Sequence, residues 1–415
     1  MYCPTPSLDQ HAQAFFFTNY VLDDTSPTYD DFDANLTNCI KAVGLAGIAS
    51  THRSANMERE ASKRYIIALR STNMALRSPV ETRKDSTLLA VQLLSMFETV
   101  DLNAPRPMYS WTEHVKGAAL MLSLRGANQF RTLTGFRMFL QAAYSYTQIC
   151  IAHRIHVPQE MKVLVKEGAK HAATQDPTWR LLEAKILYAD LAASIAKSSV
   201  TKYGIIVERC LDIDAKARAV MSETNDDWAY TILPTQHNAR VFYLDYYHIY
   251  PSYLAVTTWN GIRELRLMLH MTIVHAIQRS SASSKPSGLS PEQLGQLASS
   301  HGILEKMQSE IIATIPQLFG DGTASGATNQ LTCTFPWSNF RSVTNIPTRS
   351  AGISTLPPMR TAGGYTAIPW TLYIAGSTDA TSSHMKSWII ETLHEINAVF
   401  RVKLASKLAK LLEDQ

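Results

Sequence analysis

The chain has 415 residues, of which 46% are apolar and 18% charged, which supports a large buried core and excludes an intrinsically disordered polymer. Its 39 basic and 35 acidic residues leave a net charge of only +4. With no run of five like charges, the balance argues against a nucleic-acid-binding face, where Lys and Arg cluster.

The start, Met1-Tyr2-Cys3-Pro4, carries no basic region followed by an apolar stretch, so no signal peptide is expected. No segment approaches the uninterrupted apolar length of a membrane span. The five cysteines, Cys3, Cys39, Cys150, Cys210 and Cys333, are widely spaced and form no C-x2-C pair. They read as reduced thiols packed as small core residues of an intracellular protein, not as zinc ligands.

In chain order, helical signals dominate. Ser7 with Gln10 forms a capping box ahead of Ala12–Phe17. Apolar residues at helical spacing run through 33–48, and a long amphipathic pattern covers 56–77 before Pro79 stops it. The stretch 88–97 is apolar nearly all round, as in a buried helix. Ser110 and Glu113 predict a further capping box, with Gly126 at the C-terminal end of that helix. Helices follow over 135–153, 178–197 and 203–221. A long helical stretch is predicted over 242–275, bent or broken near Pro251, then one over 294–318 interrupted around Ser300. Helices over 366–375, 384–399 and 402–412 finish the chain, and no period-2 strand is expected. The reading is an all-α fold, one large helical domain over 1–415, with flexible loops near 279–290 and 320–358. No fixed-period repeat points to a regular solenoid.

Motifs for common chemistries are missing. There is no G-x-S-x-G elbow, no phosphate-binding loop and no dinucleotide fingerprint. His270 and His275 stand about 500° apart around a helix and do not share a face. Glu391-x-x-His394 is a single copy of an element that di-iron bundles use twice. No metal and no cofactor is therefore expected. Aromatic residues with polar tips are instead concentrated in two places: 242–259 and 365–373. Tyr246, Tyr250, Trp259, Tyr365 and Trp370 are the candidate ligand-binding residues, lining one pocket for an apolar, weakly oxygenated metabolite. His248, Asp245 and Tyr373 are the candidates for acid–base chemistry there, with Asp245 and His248 placed on one helix face. Ordinary core packing of the same aromatics is the competing reading. Asn260 and Arg263 read as a polar knot between helices, the Arg paired with a carboxylate or helix-end carbonyls.

Two blocks carry a family resemblance: Ala362-Gly363-Gly364-Tyr365 with Pro369 and Leu372-Tyr373-Ile374-Ala375-Gly376, and Trp259-Asn260-Gly261-Ile262-Arg263 with Arg266. An ordered set precedes and joins them, including Ala14-Phe15-Phe16, Ala42-Val43-Gly44-Leu45-Ala46, Tyr65, Asn73-Met74-Ala75-Leu76, Asp85-Ser86-Thr87-Leu88, Trp111, His114 and Leu124-Arg125-Gly126. Together they resemble the helical regulatory domain of fungal six-cysteine zinc-cluster transcription factors, over about 7–412. The resemblance implies an all-helical regulatory or effector-sensing domain, often from natural-product gene clusters. The C-x2-C-x6-C element and basic arm of that family do not occur in these residues. Direct DNA binding is therefore not expected. Two functions stay open: a transcription regulator of secondary metabolism acting in the nucleus through protein partners or a homodimer, and a cytoplasmic, cofactor-free cyclase, isomerase or dehydratase that reuses the fold.

Overall fold

Ser7 N–H donates to Gln10 Oε1 at 2.7 Å while Gln10 N–H donates to Ser7 Oγ at 3.3 Å, the capping box that opens α1 (Leu8–Tyr20). Such local signals start most helices of the computed structural model, which describes residues 7–20, 32–52, 54–100, 107–172, 176–224, 226–235, 242–283, 289–319, 362–400 and 402–415. Asp33 Oδ1 accepts from Leu36 N–H at 2.8 Å at the head of α2 (Ala34–His52). Ser54 caps α3 (Ala55–Ala75), and a short 3-10 turn over Glu81–Arg83 leads into α4 (Asp85–Val100). Helix α5 (Pro107–Arg125) begins at Pro107, so Ser110 lies inside it and the expected capping box is not its start. Proline is well suited to a first helical turn, where its missing N–H costs nothing. Gly126 follows with φ +58, as the left-handed position after a helix requires.

Thr132 caps α6 (Leu133–His153), and α7 (Gln159–Gly168) follows, a short helix missed in the sequence between Pro158 and Pro177. Asp176 caps α8 (Pro177–Ala196), and α9 (Tyr203–Ser222) comes next. The region 242–252 departs from expectation. It is no helix: β1 (Thr231–Pro234) and β2 (Tyr246–Ile249) pair antiparallel, with Ile232 opposite His248 and Pro234 opposite Tyr246. The helix starts only beyond Pro251, as α10 (Tyr253–Ser283). Ser290 and Gln293 form a full capping box before α11 (Pro291–Ile312), which runs through Ser300 without a break; the interruption lies at Ala313 and Thr314, before α12 (Ile315–Phe319). Helices α13 (Ala362–Gly376, with Pro369 inside), α14 (Ser383–Phe400) and α15 (Lys403–Glu413) complete the described chain. Of the two predicted loops, 320–358 lies outside the described residues, and so does 284–288 of the other, whose first part continues α10. Apart from the one hairpin, the described residues are helical, and the fold is all-α.

Four apolar clusters lie between these elements. One joins α1 to α4 around Phe16, Leu45 and Leu93; a second joins α4 to α8 around Phe139 and Trp179. The third packs α8 and α9 on one side of α10, and the fourth packs α11 to α15 on its other side. At the α1–α2 crossing, a Cβ on Gly44 would stand 1.9 Å from the Ala12 carbonyl oxygen, so only glycine permits that approach.

Because α10 is enclosed on every side, its polar residues must be satisfied by the surrounding helices. Arg263 reaches Glu310 of α11, Glu264 reaches Lys185 of α8 and Thr371 of α13, and Arg266 reaches Asp214 of α9. About one turn of α10 thus addresses four neighbouring helices. Gly261 makes room for the second of these contacts, since a Cβ there would meet Leu181 Cδ2 and Tyr144 Oη at 2.8 Å.

Candidate functional site

The hairpin is fastened to the α11–α12 corner through its second strand. His248 N–H donates to the Ala313 carbonyl at 2.8 Å, Tyr250 N–H donates to Gln317 Oε1 at 2.9 Å, and Gln317 Nε2 returns a bond to the Tyr250 carbonyl at 3.0 Å. Behind it, Trp259 Nε1–H donates to the Trp228 carbonyl at 2.8 Å, fixing the chain before β1. Side chains alternate across a strand, so Tyr246 and His248 share one face with their cross-strand partners Pro234 and Ile232. That face and α11 bound an open groove of about 510 Å³ lined by Tyr230, Ile232, Pro234, Asp245, Tyr246, His248 and Glu310.

Beneath the groove lies Arg263, fully buried. Its Nε–H donates to Glu310 Oε2 at 3.0 Å and its Nη1–H to Asn260 Oδ1 at 3.0 Å. The guanidinium stands 5.4 Å from the centre of the Tyr230 ring and 5.7 Å from those of Tyr250 and Trp259. Burial opposes the charge, but Tyr250, Glu310 and Tyr230 more than offset it and hold Arg263 protonated. Asn260 also donates to Thr314 Oγ1 at 3.1 Å. The polar knot expected at Trp259, Asn260 and Arg263 is thus a helix–helix junction, and it touches the groove through Tyr230 and Glu310, which Arg263 contacts.

His248 is 1% exposed, with Nδ1 3.2 Å from Tyr250 Oη and its ring 4.3 Å from that of Tyr230. Burial, seconded by the Arg263 charge, pushes the imidazole down to about 3. It is neutral at physiological pH, and a base so weak suits general-base catalysis near pH 7 poorly. Burial likewise raises the hydroxyls of Tyr230, Tyr246 and Tyr250, keeping all three protonated.

The candidate residues divide accordingly. Asp245, Tyr246 and His248 line the groove, although Asp245 and His248 stand on a strand and its approach, not on one helix face. Tyr250 and Trp259 are buried behind it. Trp370 and Tyr373 pack on the α11–α15 core, 5.6 Å apart ring to ring, and neither contributes to the groove lining. The Tyr365 side chain lies outside the described residues. The second aromatic wall is supplied instead by Tyr230, and the acidic edge by Glu310, two residues the sequence did not mark. A lone Tyr after a 3-10 turn and a Glu on an amphipathic helix carry no local signal.

Two other polar groupings are structural. Ser300 Oγ, His270 Nδ1 (3.1 Å), His270 Nε2 and Asp214 Oδ1 (3.6 Å) line up in the order of a hydrolase triad, yet Ser300 is fully buried and does not line the groove. Burial would raise the Asp214 carboxyl, but bonds from His270 and Arg266 win and take it down to about 2. Lys185, also fully buried, donates to Tyr144 Oη at 2.6 Å and to Glu264 Oε2 at 3.3 Å. Among the described residues no cluster of three or more His, Cys, Asp or Glu is placed to hold a metal, and no helix is long and apolar enough to cross a membrane. His394 of the single E-x-x-H element is exposed and 2.9 Å from Glu413.

A family match covers part of the N-terminal half of the chain. Residues 17–155 match the fungal specific transcription factor domain. That segment begins within α1 and ends two residues beyond α6, so it holds most of the α1–α4 cluster and part of the next. The groove, the Trp259–Arg263 block and the Ala362–Tyr365 block lie outside it. Neither the curated proteins nor the solved structures yielded a match. The transcription factor domain indicates a regulatory role.

Proposed function

We propose that this chain is the ligand-responsive regulatory part of a fungal transcription control system for secondary metabolism, acting in the nucleus. Support for a regulatory role comes from the transcription factor domain over 17–155. The observation that carries ligand response is the groove itself: a buried, neutral His248, two tyrosine rings and the Glu310 carboxylate converge on one solvent-open space beside α10. From there, Arg263 and its neighbours on α10 connect to α8, α9, α11 and α13, so a ligand acts on the helix that joins these four. The low basicity of His248 gives the catalytic reading no comparable support.

The test is a reporter assay in a fungal host, with the chain fused to a heterologous DNA-binding domain. The fusion is expected to change reporter output relative to the DNA-binding domain alone, and His248→Phe and Tyr230→Ala are expected to alter that output at equal protein level. Identical output from the fusion and the bare DNA-binding domain overturns the regulatory reading.

A further inference from the structure

The donor–acceptor sense of the groove can be worked out atom by atom. Arg263 lies against Tyr250 and is permanently charged. A positive charge orients a neighbouring hydroxyl with its oxygen inward and its proton away. The only other polar group recorded at Tyr250 Oη among the described residues is His248 Nδ1, at 3.2 Å, so the phenol donates to it. Nδ1 is then the acceptor nitrogen of a neutral ring, and the proton must sit on Nε2. Nε2 has no protein partner among the described residues, and His248 lines the groove. Glu310 also lines the groove, an acceptor whose charge is already matched by Arg263 at 3.0 Å and approached by Lys306 at 3.9 Å. The rings of Tyr230 and Tyr246 line it too, 4.3 Å and 5.7 Å from that of His248, and Ile232 and Pro234 supply apolar contact.

We infer that the groove is built for a neutral ring compound bearing an acceptor oxygen at one position and a hydroxyl at another, the acceptor taking the His248 Nε2 proton and the hydroxyl donating to Glu310. This rests on the ligand-responsive reading above and names the chemical class of its ligand. A protonated amine gains little at the Glu310 carboxylate, which already holds a guanidinium, or at the exposed Asp245 carboxylate, which water screens, and it is repelled by an N–H donor. A carboxylate ligand is repelled by Glu310. The expectation of an apolar, weakly oxygenated metabolite becomes a requirement for two oxygens of opposite hydrogen-bonding sense.

The full chain labelled with 15N-histidine is the material for the test, the His248 signals being assigned by their loss in His248→Gln. The free protein is expected to show His248 as the Nε2–H tautomer, and Tyr250→Phe to release the Nδ1–H form. Titration with 3-hydroxyacetophenone, anisole, benzylamine and benzoate, each to roughly 1 mM, is expected to shift the His248 signals with the hydroxy-ketone alone, fragment binding being weak but measurable at that level. His248→Gln, which keeps an N–H donor, is expected to retain binding of the hydroxy-ketone. His248→Phe is expected to weaken it by roughly tenfold, the value of one hydrogen bond in affinity. An Nδ1–H tautomer in the wild type overturns the inference, as does a larger response to benzylamine or benzoate, or no response to any probe. Each of these leaves the reporter result standing. A hydroxy-ketone that binds as expected while the fusion has no effect on transcription instead overturns the regulatory reading and leaves the ligand class intact.

Discussion

Removing the Arg263 side chain tests the buried polar knot most directly. Arg263→Ala deletes a guanidinium with no exposure, leaves Asn260 Oδ1 without its donor, and strips Glu310 of its partner at 3.0 Å. Breaking one member of a buried pair costs about 3–5 kcal/mol, chiefly because the other charge stays behind. Here the left-over carboxylate retains 13% exposure and has Lys306 at 3.9 Å, so the electrostatic part falls at the lower end. The void left among the rings of Tyr230, Tyr250 and Trp259 adds to it. A total of about 4 kcal/mol follows from these two parts. The assay is urea denaturation at pH 7 followed by tryptophan fluorescence, read as a midpoint shift at constant slope. Arg263→Met combined with Glu310→Gln removes both charges and refills the space, and is expected to regain more than half of the loss. An unchanged midpoint in Arg263→Ala, or a double variant as unstable as the single one, refutes the reasoning.

Three further outcomes are expected. Gly44→Ala forces α1 off α2, because its Cβ meets backbone and not a movable side-chain end; amide exchange over 8–20 should rise sharply while exchange in α10 stays unchanged. His114, 3.0 Å from Tyr65 Oη, is held down at about 4 by burial, which Glu113 only partly opposes. The unfolded chain therefore takes up a proton first, so the stability is present above about pH 6.5 and is lost as pH falls towards 4, by about 3 kcal/mol at most. His114→Gln, which keeps an N–H donor for Tyr65, should flatten that part of the pH–stability curve; an unchanged curve refutes the assignment. Burial pushes the Cys39, Cys150 and Cys210 thiols up to about 12, 11 and 12, so in peptide mapping after brief alkylation of the native protein these three should remain unmodified.

Where local chemistry decides structure, the sequence was a sufficient guide. The Ser7–Gln10 box starts α1, Pro177 sits in the first turn of α8, and the apolar run around Leu88–Phe97 is a helix buried between two cores. The knot at Asn260 and Arg263 was readable for the same reason: a charge within a strongly apolar helix must find a partner wherever that helix packs. The hairpin was not readable. Tyr243, Tyr246, Tyr247 and Tyr250 fall at spacings of three and four, so an aromatic strand entering a helix imitates helical periodicity. What decides the matter is pairing with 231–234, and the contacts of His248 and Tyr250 with Ala313 and Gln317, more than sixty residues away. The groove is likewise a property of the assembled chain. Tyr230, His248 and Glu310 have no common motif, and only the register of β1 on β2 and the docking of β2 against α11 turn them to one space. Composition and helical period thus determined an all-α protein with a polar spine, whereas which of its tyrosines and histidines face solvent was decided by long-range packing, since burial is set by neighbours that sequence spacing does not encode.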